Sequence, residues 1–147
     1  DDIFIYYGLG CRSVSKLFVP EGYNFDFLLG TLHDNYKELA NHDKYRNNFD
    51  YNNALFMLNK VKYLMSGSLI ITEADAISSR IATVHYSYYS EVEILERELL
   101  ERKEEIQCIV SGIPLDNINT FSFGEAQKPS ITDYADGVDT MEFLVNL

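Results

Sequence analysis

Short apolar runs alternate with segments of helical periodicity along the chain, and together they predict an α/β fold. Runs rich in β-branched and aromatic residues predict strands at 3–7, 17–19, 69–72, 81–89 and 106–110. The runs at 69–72 and 81–89 follow each other without a predicted helix between them, which indicates that part of the sheet is antiparallel. A shorter strand-like run lies at 120–123.

Apolar residues at spacings of three and four predict three helices. The first spans 25–39. The second has Asp50 as its N-cap, runs through Tyr51 to Val61 and stops near Ser66 and Gly67. Polar residues between these two helices predict a break. The third helix follows Ser90, which is expected to form a capping box with Glu93.

The order and number of these elements indicate a single domain, 1–147. Strands that alternate with helices favour an α/β architecture, here a mixed, mostly parallel sheet flanked by helices. A chain of 147 residues can bury roughly 68–70% of its unfolded surface, which is enough for one core. The chain starts without Met and enters a predicted strand at once, so we expect it to be part of a longer protein.

The charge balance restricts the class of partner. The chain has 23 acidic and 12 basic residues, for a net charge of −11. Without a cluster of Lys and Arg, a nucleic-acid or anionic-membrane partner is not expected. No apolar run approaches the ~20 residues that cross a bilayer, and two cysteines do not make a disulfide framework. These features predict a cytoplasmic protein with reduced thiols.

Cys11 is the strongest candidate for chemistry. It stands in a glycine-rich turn directly after the predicted strand 3–7. That order places its thiol at the carboxyl edge of the sheet, where open α/β folds hold their sites. Backbone N–H groups freed by Gly10, with Arg12 or Lys16 nearby, would favour a reactive thiolate. The alternative is a buried structural cysteine that fills the turn, since free cysteine is among the most buried residue types.

Two further motifs predict structure rather than chemistry. Cys108 alternates with apolar residues in the run 106–110, which is typical of inert packing in a strand. Gly8 and Gly10 form only part of a dinucleotide fingerprint, because Ser13 occupies the third glycine position. A dinucleotide-binding loop is therefore not predicted here.

The histidines and clustered aspartates also lack the spacing of a known site. His33, His42 and His85 lie in a helix, a polar break and a strand, and they form no recognisable triad or metal-ligand pair. Asp133, Asp136 and Asp139 miss the one-three-five spacing of a calcium loop. A solvated turn is the favoured interpretation of these three residues.

The segment 10–21, Gly-Cys-Arg-Ser-Val-Ser-Lys-Leu-Phe-Val-Pro-Glu, resembles the catalytic-cysteine region of the aldehyde dehydrogenase superfamily. Within that superfamily it is most similar to the LuxC-type acyl-CoA reductases, a cytoplasmic bacterial group. The segments 47–52, 106–111 and 133–140 also resemble this group, so the similarity touches most of the chain.

The resemblance implies an aldehyde-dehydrogenase-like catalytic domain with Cys11 as its nucleophile. Cys11 would attack an acyl-CoA or acyl-protein thioester, and a hydride from NADPH would release the aldehyde. Gly10 and Arg12 flank the nucleophile, and Phe123 and Gly124 resemble a Phe-Gly loop on the substrate side of the pocket. These four residues are the expected substrate contacts, and the backbone N–H of Cys11 would help to hold the oxyanion.

The resemblance further implies a cofactor domain, a general base and an oxyanion asparagine upstream of this chain. This chain alone is therefore not expected to reduce a substrate, and NADPH would be bound mainly elsewhere. Glu125 departs from the family, which often has glycine at that position. Superfamily members commonly pair through their catalytic domains, which implies a homodimer. The alternatives are a noncatalytic α/β interaction or oligomerisation domain and a cysteine-dependent acyl transferase or thioesterase.

Overall fold

A four-stranded mixed sheet forms the centre of the computed structural model, which describes residues 1–134 and 138–147. Its strands are β1 (Lys16–Pro20), β2 (Tyr63–Met65), β3 (Ile70–Glu73) and β4 (Thr83–Tyr89). The spatial order is β1-β4-β3-β2, with β1, β4 and β3 mutually parallel and β2 antiparallel to β3. The prediction of an α/β fold with a mixed, mostly parallel sheet is confirmed.

Four α-helices accompany the sheet in the described part of the chain. They are α1 (Asp26–Tyr36), α2 (Asp43–Leu58), α3 (Val92–Glu101) and α4 (Thr140–Val145), and short 3-10 helices occur at Ile5–Gly8, Lys37–Asn41 and Lys103–Glu105. Across residues 1–134 and 138–147, no helix combines the length and the apolar character that crossing a bilayer requires.

The hydrophobic core lies between the sheet and helices α1 and α2. Phe25, just before α1, and Phe49 of α2 join the central strand residues Ile70, Ile71 and Val84 in one buried cluster. Leu95 and Leu99 of α3 are buried as well, but they lie outside this cluster. Helix α3 therefore forms a separate layer beside β4, which it contacts.

Helix α2 begins well before the predicted start of the second helix. His42 caps it, since its Nδ1 accepts a hydrogen bond from the Tyr45 backbone N–H at 3.4 Å. Asp50 is not a cap but an interior residue, and its Oδ2 lies 2.8 Å from Arg46 Nε. The first two turns of α2 are mostly polar and exposed, and only Tyr45 and Phe49 are buried there. Two buried residues are too few to show a helical pattern in the sequence, so the start of the helix was placed too late.

The antiparallel part of the sheet is not where the sequence predicted it. Strands β3 and β4 pair in parallel, with Ile70 opposite Thr83. The antiparallel pair is β2 and β3, joined by a tight turn in which Ser66 Oγ accepts from the Leu69 N–H at 3.2 Å. Strand β2 was missed because its three residues lie before the predicted end of the second helix.

The strands predicted at 3–7 and 106–110 and the shorter strand-like run at 120–123 do not form as strands in the described part of the chain. At 3–7 the chain folds into a turn and a 3-10 helix, because the N–H groups of Phe4 and Ile5 both donate to the Asp1 carbonyl. Phe4 is buried in the core and Ile3 packs against it, so this segment is attached by side chains of a turn rather than by a strand face. The segment 106–110 pairs through one isolated bridge, Val110 with Phe121.

The predicted capping box of the third helix is wrong in detail. Helix α3 starts at Val92 with Glu91 at the cap, and no side chain caps it by a hydrogen bond. Leu95 and Leu99, which are four residues apart, are the buried residues of this helix. The spacing of apolar residues therefore predicted the position of this helix better than the capping residues of its first turn did.

Candidate functional site

A groove of about 830 Å³ contains all five predicted site residues. It runs between the turn that carries Cys11, helix α3, the segment 105–113 and the Phe-Gly loop at 123–124. Gly10, Cys11, Arg12, Phe123 and Gly124 all line it. Residues that are more than one hundred positions apart in sequence are thus brought together in one cleft.

Cys11 is exposed at this groove, in a turn closed by the Ser13 N–H donating to the Gly10 carbonyl at 2.9 Å. Gly10 packs closely, since an added Cβ would lie 3.1 Å from Ser13 Oγ and would require that side chain to shift by a few tenths of an ångström. The turn precedes β1 and follows no strand, so the thiol lies towards the amino end of β1. The predicted position at the carboxyl edge is wrong, because the strand expected at 3–7 does not form.

Arg12 is an internal anchor rather than an exposed base. Its residue is only 8% exposed, and its Nε donates to the Ala126 carbonyl at 2.5 Å. The guanidinium lies 4.4 Å from the centroid of the Phe121 ring, in cation–π geometry. Its Nη2 is buried without a hydrogen-bond partner in the structure. Arg12 therefore attaches the Cys11 turn to the 121–126 segment.

Lys16 is also engaged away from the thiol. Its Nζ donates to the Ala74 carbonyl and, at 2.6 Å, to Ser87 Oγ. Burial lowers the pKa of this amine, and the negative charge of Asp75 opposes that effect in part. Neither Arg12 nor Lys16 is thus an exposed cation placed next to Cys11.

The side chains of Asp2 and Gln127 hold the segment 123–127, which begins with the Phe-Gly pair, against the Cys11 turn. The Asp2 carboxylate accepts from the Gly124 N–H at 2.7 Å and from the Ala126 N–H at 3.1 Å. Gln127 Nε2 donates to Ser13 Oγ at 3.3 Å. Gly124 has a φ of +84°, a conformation that side chains rarely adopt. Sequence reasoning missed Asp2, which no local motif marks.

Cys108 lies in the same groove as Cys11. It is half-buried, and its Sγ donates a weak hydrogen bond to the Arg12 carbonyl at 3.7 Å. Burial raises the pKa of the Cys108 thiol, with a smaller opposing effect from Arg12. The sequence predicted a packing residue on a strand, but the structure gives it a place in the candidate site.

The remaining candidates lie apart from this groove and have structural partners. His33 Nδ1 accepts from the Gly67 N–H at 3.3 Å, and His85 Nδ1 lies 2.8 Å from the Ala76 carbonyl. Asp133 Oδ2 accepts from the Ser130 N–H at 2.7 Å, and Asp139 caps α4. Asp136 lies outside the described residues. Among the residues that are described, no three His, Cys, Asp or Glu cluster in a way that could hold a metal ion.

Comparison with protein-family models, with curated proteins and with solved structures finds no significant match to this chain. The family resemblance therefore stays a prediction, and the chemistry must be argued from the groove itself. The groove offers an exposed thiol, a second thiol, and an apolar wall that includes Leu28, Leu95, Leu99 and Ile109. Its volume lies within the range of pockets that bind small molecules. This arrangement can bind an apolar chain and present its end to a nucleophile.

Proposed function

We propose that this chain supplies the acyl-accepting cysteine of a fatty acyl-CoA reductase, with Cys11 as the nucleophile. The observation that carries the proposal is the exposed Cys11 thiol at an apolar groove that also contains Gly10, Arg12, Phe123 and Gly124. These are the positions that the family resemblance implies. A buried thiol without access to a cleft would have argued against it.

The proposed step is a transfer of the acyl group between two sulfur atoms. The Cys11 thiolate attacks the carbonyl carbon of the thioester, and a new C–S bond forms as the bond to the carrier sulfur breaks. The carrier leaves as a thiolate and takes a proton from solvent. The Cys11 N–H would stabilise the oxyanion, and one such donor is typically worth ~2.7–4 kcal/mol. Each methylene of the chain buried against the apolar wall would add ~0.8 kcal/mol of binding.

The groove residues do not fit NADPH, the cofactor that the resemblance implies. When bound, NADPH supplies the hydride that converts an acyl group to an aldehyde. Its phosphates need exposed cations or N–H groups, but among the described residues lining the groove the basic side chains are Arg12 and Lys16. Arg12 is buried and Lys16 is half-buried, and each donates to a group within the chain, so neither presents an exposed cation. We therefore derive no reduction step here and propose that a region outside 1–147 binds the cofactor.

The experiment is to incubate the 147-residue protein with decanoyl-CoA and to locate the acyl group by mass spectrometry. We expect one decanoyl group on Cys11, none on Cys11→Ser, and wild-type labelling of Cys108→Ser. Labelling that survives in Cys11→Ser, or no labelling of the wild type, would overturn the proposal. Spontaneous release of decanoic acid from the labelled protein would favour the thioesterase alternative.

A noncatalytic interaction domain is the second candidate, and the exposed apolar side chains of α4 favour it. Phe143 is 59% exposed and Val145 is 79% exposed, and both belong to this short C-terminal helix. Light scattering across a range of concentrations tests this candidate. A stable oligomer, together with two cysteines that react equally slowly with iodoacetamide, would favour it over the reductase.

A further inference from the structure

We propose that Asp2 is a positioning residue for the groove, because its carboxylate fixes the loop that carries Phe123, which lines the same groove as Cys11. This inference rests on the proposed function in that the loop is taken to contact the acyl chain. It names a residue that neither the sequence pattern nor the resemblance indicates. It also predicts how the groove selects among reagents that carry chains of different length.

Both carboxylate oxygens of Asp2 are used on the same loop. Oδ2 accepts from the Gly124 N–H at 2.7 Å, and Oδ1 accepts from the Ala126 N–H at 3.1 Å. The Asp2 carbonyl accepts from the Val14 N–H at 2.9 Å, directly after the Cys11 turn. One residue therefore joins the loop and the turn through three hydrogen bonds.

The other contacts between the loop and the turn are fewer and differently placed. Arg12 Nε donates to the Ala126 carbonyl, and Gln127 Nε2 donates to Ser13 Oγ at 3.3 Å. Both act at or after Ala126, whereas Asp2 also holds Gly124. Hydrogen bonds to an ionised carboxylate are roughly twice as strong as neutral ones. Asp2 therefore fixes the part of the loop nearest to Phe123.

Phe123 forms a lip at the groove. Its side chain is 75% exposed, and its ring lies over Gly112, where an added Cβ would come within 2.8 Å of Phe123 Cε2. Phe123 and Gly112 both line the groove. The position of this ring depends on Gly124, the next residue, and so on the carboxylate of Asp2. A fixed and exposed aromatic ring offers an apolar surface that a long alkyl chain can contact. A small reagent that reacts at Cys11 does not reach this surface.

The test compares two alkylating reagents on Cys11, iodoacetamide and N-dodecyl iodoacetamide, in the Asp2→Asn variant. The amide keeps the shape of Asp2 but turns one acceptor oxygen into a donor that faces an N–H group. We expect the rate advantage of the dodecyl reagent over iodoacetamide to fall by about fivefold, as its chain loses apolar contact. Amide exchange at Gly124 or Ala126 should become about tenfold faster.

Glu125→Gln is the matched control, since it makes the same chemical change in the same loop. Its side chain binds Lys128 on the exposed side, so both readouts should stay at the wild-type level. An unchanged or larger dodecyl preference in Asp2→Asn would overturn the proposal. If the substitution only damaged the turn, both alkylation rates would change by the same factor. Their ratio would then stay at the wild-type value, and this result would also count against the proposal.

Phe123→Ala keeps the test decisive if Asp2→Asn does not fold. This variant removes an exposed ring and leaves Asp2 in place, and we expect the same loss of dodecyl preference. A wild-type preference in Phe123→Ala would contradict the role of the lip. Alkylation of Cys11 does not require acyl transfer, so a failure of decanoyl-CoA labelling would refute the proposed function without deciding this inference.

Discussion

Cys11 and Cys108 line one groove, but their surroundings give them different chemistry. Cys11 is exposed in its turn, whereas Cys108 is half-buried and donates to the Arg12 carbonyl. Accessibility and the fraction of thiolate together set the reactivity of a cysteine. Both factors disfavour Cys108, so a reagent that enters the groove should modify Cys11 first.

The raised pKa of Cys108 gives a pH-dependent prediction. Burial favours the neutral thiol, so the folded protein resists ionisation of Cys108 more than the unfolded chain does. The corresponding stability is complete below the unfolded pKa and is lost as pH rises through the folded pKa. In Cys11→Ser, alkylation of Cys108 should therefore have a pH midpoint above the ~8.5 of a free thiol.

The measurement is the rate of iodoacetamide modification of Cys108 against pH, in buffer and in urea. Urea unfolds the chain and serves as the internal reference for an unperturbed thiol. A midpoint in buffer that equals or falls below the midpoint in urea would contradict the burial seen in the structure.

Among the helices and strands, the sequence predicted the ones that carry a regular pattern of apolar residues within a short stretch. Helices α1 and α3 follow apolar residues three and four apart, and β3 and β4 follow β-branched runs. The failures have a common physical cause. The run 3–7 is apolar enough for a strand, but it pairs with no neighbouring strand, and the N–H groups of Phe4 and Ile5 donate to the Asp1 carbonyl instead. A strand forms only where a second strand is available to pair with it. A short stretch of sequence does not show whether such a strand lies nearby in the fold.

Helix α2 gives a prediction about how the helices are attached to the sheet. Tyr45 is buried, and its hydroxyl donates to the Ser68 carbonyl at 2.6 Å, just before β3. Tyr45→Phe removes this donor and leaves a buried carbonyl without it, which should cost about 1–3 kcal/mol. Urea denaturation measures the change in the free energy of unfolding.

Tyr51→Phe in the same helix is the matched control for Tyr45→Phe. Tyr51 is 62% exposed, so loss of its hydroxyl should change the free energy of unfolding by less than about 0.5 kcal/mol. Equal effects of the two substitutions would show that the bond to the Ser68 carbonyl does not stabilise the fold.

At the scale of the whole molecule, the groove could be predicted only in part. The residues Gly10, Cys11 and Arg12 are adjacent in sequence, and the resemblance added the Phe-Gly loop. The bonds that join these segments connect Asp2 to Gly124 and Arg12 to Ala126, which are separated by 122 and 114 positions. Asp2 does not stand in a pattern that one sequence makes visible. Such contacts exist only once the chain has folded.

The net charge of −11 predicts how the groove discriminates between anionic and neutral reagents. A negatively charged protein repels anions on average, and salt weakens this repulsion. Raising the ionic strength from 0.01 M to 0.15 M shortens the Debye length from about 30 Å to about 8 Å. Arg12 and Lys16 keep their charges but donate to groups within the chain, so we expect them to offset only part of this repulsion at Cys11.

Iodoacetate and iodoacetamide form a matched pair for this test, since they differ chiefly in charge. In Cys108→Ser, the ratio of their rates at Cys11 should rise by about twofold to tenfold over that salt range. A blocked, uncharged cysteine amide provides the reference, and its ratio should stay nearly constant. A ratio that falls with salt would mean that positive potential dominates at the thiol. The groove could then attract an anionic CoA thioester without help from another region, which would contradict the division of roles proposed here.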